Sequence, residues 1–577
     1  MAYFGDREKY RQRSRTLRPE HGPESDPISR EVYETYDLVP EIGNGYRWYD
    51  YPYRILGWIV DGWLRRALPG SGRRWIFKGI NYLHLFNEHD RNKARSLESL
   101  HHNVFVPEDE HVNVAGIWLV ELFPPTELPA LEAALARNGW DRPRPYEDGN
   151  REALQRARSG SGAYWWRLVN IVGRDSKWFV PEGVSADLPD EIEYVALRAI
   201  QVGAGLTAVV AEVHLSDAAA KSLDIEWHRT HEPILLKDQG RLQPLDRQWA
   251  TFWEVQSARK RLHAAARDWL ATRLPGFFAL NNEPQPLLDL LLFDSIDPTV
   301  MSQDNQDRET SMKTHDALRA LGVSAPVFHQ LLSSDLPKLV LSPLDGQMHQ
   351  RLGNDPTWTL WGSRPAVVEA IGEDSLRGYG GNDQNRAIAS RLVDNMFNLF
   401  VMISVSKFLK VTQAKYAVIR DQASKRHGKF KPKSLKHLRE SFLRHSLNLT
   451  SVHRDTTSFW KRSWRWEGDA EFRYHSTPRE KGEFRQNESP KQEPESFNDL
   501  LRKRHEKEFT ELIEADRDYR EILSTVASLG ASADSYKVSR LALWVAVASL
   551  VVAIGTVVVS DVGSNSVVVH LWSLISP

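Results

Sequence analysis

The chain has 577 residues, 41% hydrophobic and 26% charged, a composition suited to roughly two to four water-soluble domains. A formal charge of −1 excludes a globally basic nucleic-acid binder and an acidic tail protein, so any electrostatic role is local. The lack of cysteine excludes disulfides, a thiol nucleophile, iron–sulfur ligation and cysteine-based zinc sites, leaving histidine and carboxylate as the available metal ligands; it fits a reducing compartment.

Residues 1–40 are charged and proline-bearing, lack the apolar stretch of a secretory signal, and are expected to be disordered. From Tyr46 to Tyr82, aromatic residues such as Trp48, Tyr51, Trp58 and Trp75 are interleaved with Arg54, Arg65, Arg73, Arg74 and Lys78. Such a mixture stacks nucleic-acid bases, lies in a membrane interface, or forms a core whose arginines stay wet. The helical spacing of Ile55, Leu56, Ile59, Val60, Trp63 and Leu64 favours the last, as a buried amphipathic helix.

From Asn113 the pattern becomes mixed. VAGIWLVELF reads as a strand, Glu127 to Asn138 as a helix closed by Gly139, and GAYWWRLVNIV as another strand. EYVALRAIQV and LTAVVAEVHL flank Gly203 and Gly205 and are rich in the β-branched residues of strands, which predicts a hairpin; the whole suggests a split βαβ layout. Gln248 to Leu274 is a helix ended by Pro275-Gly276. These elements form an α+β domain over 41–285, and the runs PLLDLLLF, KLVLSPL and TWTLWG place a second α/β part at 286–385.

A mainly helical, basic region follows at 386–466. Its centre, MFNLFVMISV, is apolar on all sides, but Asp394 and Lys407 bracket only about twelve residues, too few to cross hydrocarbon, so a buried core helix is expected. Residues 467–496 read as a disordered linker and 497–540 as a stalk helix, in which Leu512, Tyr519 and Val526 are a heptad apart with the polar Asp516 in the seam.

Leu541 to Val559 contains no ionisable side chain and matches the roughly 20 residues that a helix needs to span a bilayer. The span is assigned to 541–560, carrying Leu541, Trp544, Val551, Gly555 and Val559, with 561–577 as a short extracytoplasmic tail. Lys537 and Arg540 precede it and no Lys or Arg follows, which predicts a single-pass, tail-anchored protein of the cell membrane with the bulk of the chain in the cytoplasm. The fold class is thus an α+β cytoplasmic region, a mainly helical region, a linker, a stalk helix and one C-terminal transmembrane helix. This order is similar to that of CorA-type magnesium channels, but the Gly-Met-Asn signature is absent and Val567 to Ile575 is too short to span, so no family is assigned.

Gly203-Ala-Gly-Leu-Thr-Ala208, with Asp224 and Glu226 about twenty residues on, has the spacing of a dinucleotide fingerprint, yet a strand follows the glycines where a helix N-terminus is needed, and a hairpin turn is the better account. His84, His89, His101, His102 and His111 lie among carboxylates and are the candidate metal ligands, although they lack HExxH spacing and are expected to be structural or solvent-exposed. His228, His231 and Glu232 form a weaker set, interrupted by Pro233. The phosphate-binding GxxxxGK[ST] loop and the GxSxG elbow are absent.

Lys407 to Arg444 holds twelve Lys or Arg against Asp421 and Glu440. Its dense part, with Lys425, Arg426, Lys429, Lys431, Lys433, Lys436 and Arg439, is the candidate contact for anionic lipid or another polyanion, with nucleic acid the runner-up partner and a solvated helix the plain alternative. The leading expectation is a non-enzymatic membrane-tethered sensor, scaffold or effector without cofactor, able to self-associate through stalk and span. The alternatives are a membrane-tethered metal-dependent enzyme using 84–111 and a subunit of an oligomeric pore.

Overall fold

A computed structural model describes residues 38–62, 69–99, 101–141, 149–174, 183–238, 240–301, 308–323, 329–343, 357–380, 383–426, 432–462, 464, 466–476 and 495–560. The disordered segment expected before residue 38 and the tail at 561–577 lie outside them. The described residues fall into two units: one reaches to Lys407 and takes in Asp455–Lys503, the other holds Phe408–Arg454 and the chain from Arg504.

The first unit is built on a ten-stranded mixed sheet. In chain order its strands are β1 (Val112–Phe123), β2 (Trp165–Gly173), β3 (Val184–Ala186), β4 (Ile192–Gln201), β5 (Thr207–Leu215), β8 (Leu287–Phe293), β9 (His329–Leu332), β10 (Val340–Pro343), β11 (Thr357–Ser363) and β12 (Arg473–Ser476); β6 (Ile234–Asp238) and β7 (Arg241–Leu245) form a separate hairpin. The spatial order is β12-β9-β10-β11-β8-β1-β5-β4-β2-β3. β8 pairs with β11 and β2 with β3 in parallel, and the other pairs are antiparallel. β5 and β8 are buried at every residue, the pattern of strands covered on both faces, which explains their near-continuous apolar sequences.

Helices cover both sides. Ile117 and Leu119 of β1 share a core with Leu131, Leu154, Leu223, Trp227, Phe252 and Leu262, from helices Leu128–Arg137, Asn150–Ser159, Asp217–His228 and Arg247–Arg273. On the opposite face Trp118, Val210 and Leu288 meet Leu392, Val393, Met396 and Phe400 of helix Gln384–Arg426. The two charges that bracket this apolar stretch are paired to the same body: Asp394 with Arg198 at 3.2 Å and Lys407 with Glu283 at 2.8 Å.

The 41–285 and 286–385 parts contribute strands to one sheet, because β8 inserts between β1 and β11. Two features differ from the sequence reading. Within the segment read as a linker, Ala470 and Phe472 are fully buried and Arg473–Ser476 is an edge strand on β9; four residues are too few to show periodicity in charged surroundings, and 477–494 lie outside the described residues. Helix Asp50–Asp61 forms, yet it is not buried as expected: Ile55 and Trp58 are 60% and 67% exposed. Only its inner side, through Tyr53 and Leu56, joins the small core of Ile42, Tyr49 and Leu83; Trp63 and Leu64 lie outside the described residues.

In the second unit, residues 408–426, helix Pro432–Lys461 up to Arg454, and helix Phe497–Ser560 from Arg504 run as long helical segments. Phe497–Ser560 is a single helix of 64 residues, about 96 Å long at 1.5 Å per residue.

Candidate functional site

Among the described residues two helices are long and apolar enough to cross a membrane, Gln384–Asp421 and Ser539–Thr556. They differ in cover: 72% of the apolar window is buried in the first and none in the second. Leu541, Trp544 and Val551 are 68%, 64% and 63% exposed, and beyond the neighbouring helix backbone nothing lies within 4 Å of a Cβ built on Gly555. Thr556 donates its hydroxyl to the Val552 carbonyl at 2.9 Å, so it satisfies itself inside the helix. Val559 lies within the same helix. Each such aliphatic side chain gains roughly 1.5–3 kcal/mol on burial, so the bare run has a strong demand for an apolar surrounding.

The basic candidates fall at the adjoining ends of two helices. Lys425 and Arg426 end Gln384–Arg426, while Lys433, Lys436 and Arg439 stand in the first turns of Pro432–Lys461; Lys429 and Lys431 lie outside the described residues.

A second exposed surface was read as core in the sequence. Trp48, Tyr51, Ile55, Trp58, Trp75 and Tyr82 are all more than half exposed on helices Asp50–Asp61 and Gly70–Ala94 and the turn before them. The turn is fixed from within. Asp50 accepts from the Gly43 and Arg47 N–H groups at 2.7 and 2.9 Å, and the Tyr49 hydroxyl donates to Asp90 at 2.5 Å. Burial, then the Asp90 carboxylate, push Tyr49 up to about 12, so it stays a donor.

The five candidate histidines do not come together. His84 packs edge-on to Tyr53 with centroids 5.2 Å apart, His89 is half-buried on the same helix, and His101 is exposed. His102 Nδ1 lies 2.9 Å from Arg95 and 3.4 Å from Asp246. Only His111 joins a ligand-like group, with two residues of helix Asp217–His228: its Nδ1 is 2.9 Å from Asp224 Oδ2, and His228 Nδ1 is 3.6 Å from Oδ1. The hydrogen bond to Asp224, and then its charge, raise the His111 pKa above the usual value. His231 contacts the Glu226 carbonyl at 3.1 Å instead.

The glycine loop is a hairpin turn between β4 and β5, and its N–H groups already hold an anion. Asp455 accepts from Gly205 at 2.6 Å and Leu206 at 2.8 Å, and a Cβ on Gly203 would sit 2.3 Å from its Cγ. Thus the chain's own carboxylate occupies the position that a phosphate would need.

Two buried acidic centres escaped the sequence reading. Asp289, the one charge in PLLDLLLF, accepts from Arg259 at 2.8 and 2.7 Å and lies 2.9 Å from His263 Nε2. Burial works to raise this carboxyl, but Arg259 and then His263 hold it well below the usual range. Glu121 accepts from the Leu122, Phe278 and Ala279 N–H groups and the Gln285 amide. Both carboxyl groups are fully buried and hydrogen-bonded to several partners, which makes them struts of the sheet. A polar residue inside an apolar run was the signal available for each.

Comparison with protein-family models, with curated proteins and with solved structures finds no match.

Proposed function

We propose that this is a single-pass membrane protein, held by Leu541 to Val559, whose folded part works at the cytoplasmic face as a sensor, scaffold or effector. The observation supporting this reading is the contrast along one helix: Leu501, Phe509 and Leu512 are buried, whereas the apolar window Ser539–Thr556 is wholly bare. The first stretch is satisfied by protein; the second has the length and composition that lipid satisfies. Lys537 and Arg540 flank it on the folded side, while 561–577 carries no Lys or Arg, which favours a cytoplasmic location for the folded part.

Two surfaces fit the same setting. The basic helix ends around Lys425 to Arg439 suit anionic head groups, each charge contributing about 1 kcal/mol near such a surface. The exposed tryptophans and tyrosines beside Arg54, Arg73, Arg74 and Lys78 have the composition of a surface that rests at head-group level.

The test uses the full chain and a Val547→Asp/Val551→Asp double variant. Membranes are washed with high salt and then alkaline carbonate. An acid at a helix centre costs about 2.5–3.5 kcal/mol on the insertion scale, so the variant is expected in the supernatant and the parent in the pellet. Release of the parent chain by carbonate would overturn the anchor; a reporter at Met1 active only outside the cytoplasm would overturn the orientation.

A further inference from the structure

We propose that His111, Asp224 and His228 form a binding site for a divalent transition ion of the zinc type, a site independent of the membrane anchor. One ligand atom from each residue lies within 4.8 Å of the other two. The separations, 2.9 Å from His111 Nδ1 to one oxygen of Asp224 (Oδ2) and 3.6 Å from His228 Nδ1 to the other (Oδ1), lie on either side of the roughly 3.3 Å between neighbouring ligands on a tetrahedral ion with bonds of about 2.0 Å. An ion would take the place of the existing His111–Asp224 hydrogen bond, drawing the carboxylate and the two imidazoles, now within 4.8 Å of one another, onto a common centre.

The surrounding contacts orient the donors. Asp224 Oδ1 accepts the Val112 N–H at 2.9 Å, which fixes the carboxylate against the start of β1. His228 Nε2 lies 3.3 Å from the Pro107 carbonyl; donating its N–H there leaves the Nδ1 lone pair on the Asp224 side. A backbone carbonyl on the far nitrogen is the usual partner of a metal-bound histidine. The same Nδ1 is 3.0 Å from the Asp224 carbonyl, which places a fourth donor atom beside the site and accepts the Nδ1–H in the other tautomer, without metal. The two imidazoles face each other with centroids 5.4 Å apart and planes tilted by 40°.

The ligand chemistry selects the ion. Two imidazoles and one carboxylate suit zinc, cobalt, nickel or copper, whereas magnesium and calcium prefer oxygen shells. With both histidines neutral the group carries one negative charge and attracts a cation. His111 is 54% exposed, so the remaining coordination positions face water, the arrangement of an exchangeable or water-activating site rather than a closed structural one. The positions also explain why the site escapes sequence reading: His111 sits just before β1, and Asp224, 113 residues further on, and His228 lie in the last turns of Asp217–His228.

The experiment uses the untagged full chain in detergent, freed of metal by chelator and dialysed against Co²⁺ or Zn²⁺ with excess Mg²⁺. The expected result is one equivalent of metal per chain, visible for Co²⁺ as absorption of a low-symmetry, nitrogen-containing site, and a Zn²⁺-induced rise in the unfolding temperature. His228→Gln and Asp224→Asn should each weaken binding at least about tenfold, judged against the 10- to 100-fold cost of losing even an outer partner. Asp224→Asn keeps an oxygen for the Val112 N–H, so the metal-free variant should unfold at nearly the parent temperature and separates lost binding from lost folding. A His84→Gln/His89→Gln control should bind as the parent does. A parent chain that binds no stoichiometric metal, or equal binding by the parent, Asp224→Asn and His228→Gln proteins, would overturn the site and leave His111–Asp224 a salt bridge only. Displacement of bound cobalt by millimolar Mg²⁺ would overturn the assignment to a transition ion.

Discussion

Tyr416 donates its hydroxyl to Asp516 at 2.7 Å, tying together two helices of the second unit from positions 100 residues apart. Ser446 of a third helix donates to the same carboxylate at 3.0 Å, and Arg520 at 2.6 Å. Tyr519 stacks on Tyr416 with centroids 6.0 Å apart. Asp516, which looked like a flaw in a heptad seam, is the 4%-exposed knot of a three-helix contact. Burial, reinforced by Asp516, pushes the Tyr416 pKa upward and keeps its proton in place.

We expect Asp516→Ala to destabilise this contact by about 2–4 kcal/mol, because it leaves two hydroxyls without an acceptor, and Tyr416→Phe by about 1–2 kcal/mol. Hydrogen exchange of 504–521 in the full chain reads this directly. Exchange as slow in Asp516→Ala as in the parent would show that the carboxylate does not hold the helices.

Gly203 should tolerate no side chain. A Cβ there would stand 2.3 Å from Asp455 Cγ, so Gly203→Ala has to push the carboxylate off the Gly205 and Leu206 N–H groups, at a cost of about 1–3 kcal/mol for overpacking. The measurement is the thermal unfolding of the sheet unit. Parent-like stability of Gly203→Ala would remove Asp455 from its role as the ligand of this turn.

The two units should respond to pH in opposite directions. Burial pushes Glu121 up from 4.5 to about 8, against the pull of its N–H donors. The native state therefore holds a proton that the unfolded chain releases, and this contribution is full below about 4.5 and lost as pH rises through about 8. In the second unit burial, aided by Lys415 and Arg444, lowers His445 from 6.5 to about 4, and burial with Arg504 takes His505 to about 3. Depressed histidines act the other way: their contribution is full above about 6.5 and is lost as pH falls through about 4. Unfolding followed by local hydrogen exchange from pH 4 to 9 should show Glu121→Gln flattening the alkaline decline of the first unit, and His445→Gln reducing the acid loss of the second. Parallel profiles in variants and parent would contradict the burial assigned to these groups.

Residues 1–540, without the bare apolar window, should still associate weakly with anionic vesicles at low salt. Changing Lys429, Lys431, Lys433 and Lys436 to Gln should remove most of the salt-sensitive part, at about 1 kcal/mol per charge. Trp58→Ser/Trp75→Ser should remove a salt-insensitive part. Flotation with anionic and neutral lipid separates the two, and a nucleic-acid arm tests the rival polyanion. Equal flotation of all three proteins on every surface would leave these groups merely solvated.

The local elements of the sheet were legible because their signals are local. β-branched runs marked β4 and β5, the glycines between them marked a turn, and Pro275-Gly276 marked the end of Arg247–Arg273. The union of β1 with β8 and β11 was not, since one antiparallel and one parallel pairing between distant segments leave no trace in spacing. The same limit hid the candidate site. His111 stands out for its neighbours in sequence, while of its partners in space Asp224 reads as part of a dinucleotide-like spacing and His228 as a ligand of a different set, with His231 and Glu232. Ile55 and Trp58 fail differently: their periodicity correctly gives a helix with an apolar side, but periodicity does not say whether protein or something else covers that side.

An unbroken helix from Phe497 to Ser560 has a definite azimuth as well as a length. Asp516 and Leu541 are about 25 residues apart, or roughly seven turns, so they project in nearly the same direction along the rod. Torsion of the helix at the Tyr416–Asp516 contact is thus passed to the bare apolar segment without a swivel to absorb it. Adding one residue between them would turn that segment by about 100°, and adding seven would restore its bearing to within about 20°.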